Sequence, residues 1–160
     1  MTEFSTHRKG AYALKHDIVR DFTTDPNGNL LIATGGGGLH SYLPTENRME
    51  YFTHRLNYQY SINSNIIYSL YVDDTDNIWI GTYNGGVNVH YSSKDKFGHI
   101  KSYGGINDLS NNAVLSIIED QDGRIWIGTD GGGIDIFDPR TYEFRNYSHD
   151  PANPNSLSGN

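Results

Sequence analysis

The chain has 160 residues, a formal net charge of −7, no cysteine, 18 glycines and 12 tyrosines. The acidic balance excludes a phosphate-backbone partner, which needs a stripe of Lys and Arg, and the lack of cysteine excludes disulfides and thiolate metal sites. No apolar run approaches the ~18 residues of a membrane span, and no secretion signal follows Met1.

Residues 1–8 read as the tail of an incomplete unit, because Glu3-Phe4-Ser5-Thr6-His7-Arg8 echoes Tyr51-Phe52-Thr53-His54-Arg55. A first full unit is expected at about 17–55. Ile18–Phe22 is a candidate strand, Asp25-Pro26-Asn27-Gly28 a turn, and Leu30–Ala33 an apolar run suited to a strand covered on both faces. Leu39–Leu43 and Met49–Phe52 complete it. The second unit, about 65–103, has candidate strands at Ile66–Val72, Ile78–Ile80, Val87–Tyr91 and within 97–103. The third, about 112–147, has strands at Val114–Ile118, Ile125–Ile127, Ile134–Phe137 and Tyr142–Tyr147. Ile134-Asp135-Ile136-Phe137 alternates apolar and polar, which predicts one solvated face. Residues 157–160 open a fourth unit: Leu157-Ser158-Gly159-Asn160 matches Leu109-Ser110-Asn111-Asn112, and Asp17, Asn65, Asn112 and Asn160 follow one another at spacings of 48, 47 and 48.

The most regular repeat is Ile-Trp-Ile-Gly-Thr, at 78–82 and 125–129, with Leu-Leu-Ile-Ala-Thr at 30–34 in the first unit. Four short antiparallel strands in each unit of this length are the arithmetic of a β-propeller blade. The fold expected is all-β: three full blades, partial units at both ends, and a larger ring around them. Trp79 and Trp126 are expected to fill the space between neighbouring blades. Gly131-Gly132-Gly133 supplies positive φ for a tight turn, and small residues at the end of the second strand admit the next strand closely.

Several chemical readings are set aside. The Gly-rich turn is followed by a strand and lacks a nearby Lys, unlike a phosphate cradle. Asp120-Gln121-Asp122-Gly123 is a turn in preference to a calcium loop. His54 and His149 are equivalent across units, which favours hydrogen bonding in the linker over metal binding. No catalytic set, metal site or cofactor is assigned, and Asn146-Tyr147-Ser148 is a lone glycosylation tripeptide.

The pattern Leu-Ser-x-Asn-x-Val, an acidic turn, Ile-Trp-Ile-Gly-Thr-x-Gly-Gly-Gly and an aromatic last strand, read from Leu109 to Tyr147, resembles the two-component regulator propeller repeat. The second unit departs from it at Asp76 and Asn77, and the first at Leu31 and Ala33. The resemblance implies a non-catalytic sensor segment in the periplasm, belonging to a protein of the hybrid histidine-kinase kind and recognising glycan fragments. It implies no membrane contact by this segment; the acidic charge argues against nucleic acid, and three units, too few to close a ring, imply packing against the remaining blades or self-association. A scaffold propeller and a propeller lyase are the alternatives. The candidate ligand-binding residues are Arg55, Tyr58, Tyr60, Tyr83, Asn84 and Asp130, on the linkers and turns of one rim, with Arg8 and Tyr12 beside them. Tyrosine faces stack on sugar C–H faces, while Arg, Asn and Asp bind hydroxyls or carboxylates.

Overall fold

The computed structural model describes residues 3–93 and 96–160. Met1 and Thr2, part of the expected N-terminal unit, lie outside the described residues. Among the described residues twelve strands follow one another: β1 (Val19–Thr24), β2 (Leu30–Thr34), β3 (Leu39–Leu43), β4 (Arg48–Phe52), β5 (Ile67–Val72), β6 (Ile78–Thr82), β7 (Gly86–His90), β8 (Phe97–Ile100), β9 (Val114–Glu119), β10 (Ile125–Thr129), β11 (Gly133–Asp138) and β12 (Glu143–Tyr147). They form three four-stranded sheets, each an antiparallel meander paired in sequence order. The innermost strands β1, β5 and β9 lie against one another, so the sheets stand as successive blades of a propeller arc. Three blades are fewer than the four to eight, roughly, of a closed ring. The chain is thus a fragment of a larger propeller.

The turn residues explain where each blade bends. In the first hairpin of every blade an Asp accepts backbone N–H groups through one carboxylate oxygen: Asp25 from Asn27 and Asn29, Asp73 from Thr75 and Asn77, and Asp120 from Asp122 and Arg124. In the second and third blades the other oxygen also takes the indole N–H six residues on. Trp79 Nε1–H reaches Asp73 at 2.8 Å and Trp126 Nε1–H reaches Asp120 at 2.8 Å. The acidic turn therefore doubles as a clamp on the Trp ring, with its carboxylate oxygens occupied by hydrogen-bond donors. At the opposite end of the second strand, the hydroxyls of Thr34, Thr82 and Thr129 donate to the carbonyls of Gly38, Gly86 and Gly133. Those three glycines have φ of 81°, 73° and 83°, so the turn needs residues without a Cβ there. In the third blade Gly131 and Gly133 take positive φ and Gly132 does not.

Linkers staple one blade to the next. The carboxamides of Asn65 and Asn112 accept the backbone N–H of His54 and Ser102, and Asp17 does the same for Thr6. The carbonyls of Asn65 and Asn112 in turn accept the N–H groups of Gly38 and Gly86 in the preceding blades. His54 Nδ1 donates to the Ile62 carbonyl at 3.0 Å and His149 Nδ1 to the Leu157 carbonyl at 2.7 Å, the linker role expected for both.

Two apolar seams fill the blade interfaces. Between the first and second blades lie Leu31, Ala33, Leu39, Ile62, Ile67, Leu70, Ile80 and Phe97. Between the second and third, Trp79, Val87, Val89, Val114, Ile117 and Phe137 pack together. On the other side of the first blade, Leu14 with Phe4 covers Ile32 and Met49.

Two sequence expectations are corrected here. Trp79 is 2% exposed, but Trp126 is only half-buried. Its ring projects from the side of β10 that faces away from the second blade, beside the exposed Ile118. The alternation in β11 is also reversed in its meaning: polar Asp135 is fully buried, while Ile134 and Ile136 are half-buried. Asp135 is held inside because it accepts the backbone N–H and hydroxyl of Ser110 and the side-chain amide of Asn146. The same position in the other blades is again buried and polar. Asn88 accepts the N–H of Asn63, and His40 Nε2 accepts the N–H of Lys15 at 3.0 Å. A buried polar group tethers each linker to the third strand of the blade it enters.

Candidate functional site

The linker from Thr53 to Asn65 leaves the outermost strand of the first blade and crosses to the second. Its shape comes from short-range bonds: Ser61 Oγ accepts the Arg55 N–H, Tyr58 N–H bonds the Arg55 carbonyl, and Ser61 N–H bonds the Tyr58 carbonyl. This tight turn leaves Tyr58 and Tyr60 47% and 37% exposed, with ring centroids 5.8 Å apart and planes at 76°. Beneath them is a cleft of about 210 Å³ lined by Tyr51, Phe52, Arg55, Tyr58, Tyr60 and Phe97, among others. Phe97 stands at its floor, 5.9 Å from Phe52 and 5.2 Å from the His90 ring. Lys96 Nζ sits 4.3 Å from the centroid of Tyr60, so a cation tops the aromatic wall.

Of the six residues singled out from the sequence, Arg55, Tyr58 and Tyr60 meet in this cleft. Tyr83, Asn84 and Asp130 are exposed on the turns between second and third strands and do not line it. Tyr83 belongs to another group at the inner edge of the arc. Its ring centroid is 6.0 Å from that of Tyr68, and the Arg20 guanidinium lies 4.9 Å over the Tyr68 ring. The N–H groups of Tyr83 and Asp130 bond the carbonyls of Ile66 and Ala113, which places both turns beside the starts of the innermost strands. Arg8 pairs with Glu3 at 3.0 Å, and Tyr12 packs edge-on against Phe4, so both serve the N-terminal segment.

Sequence reasoning missed His90 and Phe97, which line the cleft, and Lys96, which lies over Tyr60, because all three come from the second blade's outer hairpin. It also missed Arg20 and Tyr68. Their signal was the repeat itself: they are equivalent positions, 48 residues apart, on the first strands of consecutive units.

Two stretches of the chain, 61–84 and 108–131, match the family model described as two component regulator propeller. They hold the scaffold just described: the linker tether, the Asp–Trp clamp and the Thr of the turn. Among solved structures, the extracellular domain of a hybrid two component system from B. thetaiotaomicron is 22% identical over 88% of this chain and 23% of its own, with a TM-score of 0.45. Virginiamycin B lyase from Staphylococcus aureus is 15% identical over 90% of this chain and 45% of its own, with a TM-score of 0.63. PorZ, a surface component of the type-IX secretion system of Porphyromonas gingivalis, is 17% identical over 83% of this chain and 21% of its own, with a TM-score of 0.60. The chain thus spans less than half the length of each, and the likeness to the last two is one of fold. None of the curated proteins matches the chain.

Proposed function

Since the chain carries the two-component regulator propeller repeat at 61–84 and 108–131, we propose that it is a ligand-sensing segment of a two-component sensor, exposed to the periplasm and taking part in the recognition of oligosaccharide fragments. The observation that carries the ligand class is the cleft at the first blade interface. Two exposed tyrosines at right angles, a phenylalanine floor and two cationic side chains suit a sugar ring, whose C–H face stacks on an aromatic and whose hydroxyls accept hydrogen bonds. Because the cleft is built from two blades, a bound ligand would stiffen their junction, which is a direct way to pass a signal along a propeller.

The segment reads as binding rather than catalytic. Asp73, Asp135 and His40, the buried acids and most buried histidine among the described residues, are engaged by hydrogen-bond donors that hold turns and linkers in place. Among the described residues no helix is long and apolar enough to cross a membrane.

Calorimetric titration of a panel of oligosaccharides into the complete protein tests the reading. Tyr58→Ala and Tyr60→Ala should each weaken binding of a bound sugar by about tenfold, the scale of one aromatic contact. Unchanged affinity, with the thermal transition preserved, would remove the cleft from the site.

A further inference from the structure

The three innermost strands share an irregularity. The pairing of β1 with β2 slips between Val19 and Asp21, that of β5 with β6 between Ile67 and Ser69, and that of β9 with β10 opposite Gly128 and Thr129, between Val114 and Ser116. The extra residue is Arg20 in the first blade, Tyr68 in the second and Leu115 in the third. A bulge bends the strand and re-aims the side chain it carries. The surrounding frame hardly changes from blade to blade: the Thr hydroxyl closes the adjoining turn and Asp17, Asn65 or Asn112 staples the incoming linker. The bulge residue changes completely, from a cation to a phenol to an aliphatic chain. A fixed frame that presents different chemistry at one aimed position has the form of a recognition surface.

Arg20 has the chemistry to act there. Arg8, Arg48, Arg124 and Arg140 are each held by a carboxylate. Arg20 instead lies over the Tyr68 ring, with Tyr83 beside it, and its guanidinium makes no hydrogen bond or ion pair among the described residues. The neighbouring acid does not neutralise it. Asp21 accepts the N–H of Leu70 across the blade interface at 2.8 Å and that of Phe22 at 2.8 Å. Stacking leaves the edge of the guanidinium open, and that edge matches a carboxylate with two parallel hydrogen bonds. In a chain of net charge −7, such a fork is what an anionic ligand would need to overcome general repulsion.

We propose that Arg20, Tyr68 and Tyr83 form a subsite at the inner edge of the arc for the carboxylate of an acidic sugar. Arg20 takes the carboxylate, and the two tyrosines take the sugar's C–H faces. The inference rests on the oligosaccharide reading and narrows it to uronate-containing chains. It also gives Tyr83 a place that the outer cleft does not.

The test titrates the complete protein with a galacturonate trisaccharide, its methyl-esterified form, sodium acetate and neutral oligosaccharides. The acid trisaccharide should bind, and esterification should weaken it at least tenfold. Arg20→Gln should cause a similar loss and Arg20→Lys a smaller one, and either variant should weaken the ester less than the acid, since the ester carbonyl keeps only a neutral acceptor. Arg20 is exposed, so a thermal melt should show the variant folded. Equal binding of acid and ester, full binding of the acid by Arg20→Gln, or acetate competing as well as the trisaccharide would each overturn the subsite. Should neutral oligosaccharides bind through Tyr58 and Tyr60 while the acid form does not, the subsite falls and the broader reading stands. Should no sugar bind, both fall.

Discussion

Trp79 and Trp126 occupy the same place in consecutive blades and donate the same hydrogen bond, each 2.8 Å to the Asp six residues before it. Their surroundings differ. Trp79 meets the third blade, with Phe137 6.0 Å away edge-on and Val114 and Ile117 in the same cluster. Trp126 faces outward, beside Ile118, which is 60% exposed. A blade thus specifies its own backbone through local clamps, but its apolar weight is realised only when the next blade covers it. This is the nearest-neighbour energetics of repeat proteins, in which interface terms carry much of the stability.

The largest effect that can break this comparison is at the Trp itself. Trp79→Ala should cost about 3–5 kcal/mol, the usual loss for a large buried aromatic. In this 160-residue segment, where the ring is half-exposed, Trp126→Ala should cost less, about 1.5–3 kcal/mol, the scale of one hydrogen bond to a carboxylate. Denaturant titration of both variants reads the difference directly. Equal costs would show that the clamp, and not the neighbouring blade, sets the value of the ring.

A second test uses the buried tether. Where Asn88 and Asp135 stand in the second and third blades, the first has His40, under Tyr51 and Lys15. Burial first, and then the Lys15 charge, push its pKa down to about 4. Nε2 accepts the Lys15 N–H, so protonation there would end that bond. The folded pKa is below the unfolded value of 6.5, so the unfolded chain takes up the proton first as pH falls. The stabilising effect is complete above pH 6.5 and declines between 6.5 and about 4, by on the order of 2 kcal/mol after allowing for solvent screening. His99, whose pKa is also lowered by burial, adds to the same trend. Asp73 does not act in this window. Burial raises its pKa, but the bonds from Trp79, Asn77 and Thr75 outweigh burial and hold it below the ordinary carboxylate range. His40→Asn, which installs the second blade's residue, should flatten the pH dependence measured by thermal melts. An unchanged slope would mean that His40 is not the group responsible.

These positions also mark how much could be read in advance. The strands and turns were legible because local chemistry recurs at each hairpin: Asp where backbone N–H groups converge, Thr where a hydroxyl reaches a carbonyl four residues on, Gly where φ is positive. The burial of His40, Asn88 and Asp135 was not, because hydropathy assigns polar residues to solvent and the compensating N–H lies 25 residues earlier in the chain. The fate of Trp126 was not legible either, since it depends on what stands beside the blade. In the candidate site, the exposed linker tyrosines Tyr58 and Tyr60 were visible as a pair. Phe97 and Lys96 opposite them became neighbours only through the docking of two blade edges. The split between the cleft and Tyr83 is likewise a matter of radial position, which a linear repeat does not encode.

The smallest effect separates close approach from turn geometry at two equivalent glycines. Gly81 and Gly128 follow the Trp-Ile pair in the second and third blades, and neither has positive φ. A Cβ on Gly81 would come 2.7 Å from the Val114 Cγ1 of the third blade and would also press on the buried Ser69 hydroxyl. Val114 is itself buried in the seam and has little room to turn, so Gly81→Ala should cost about 1–3 kcal/mol through overpacking. On Gly128 the same atom would meet only Ser116, an exposed side chain whose hydroxyl can rotate away. The Ala also narrows the unfolded ensemble by about 0.4–1 kcal/mol, so Gly128→Ala should be close to neutral. If both variants lose the same stability, the small residue is required by the strand itself. If only Gly81→Ala is destabilised, the requirement comes from the neighbouring blade, and a Gly81→Ala, Val114→Ala double variant should recover part of the loss through the room it opens at the seam.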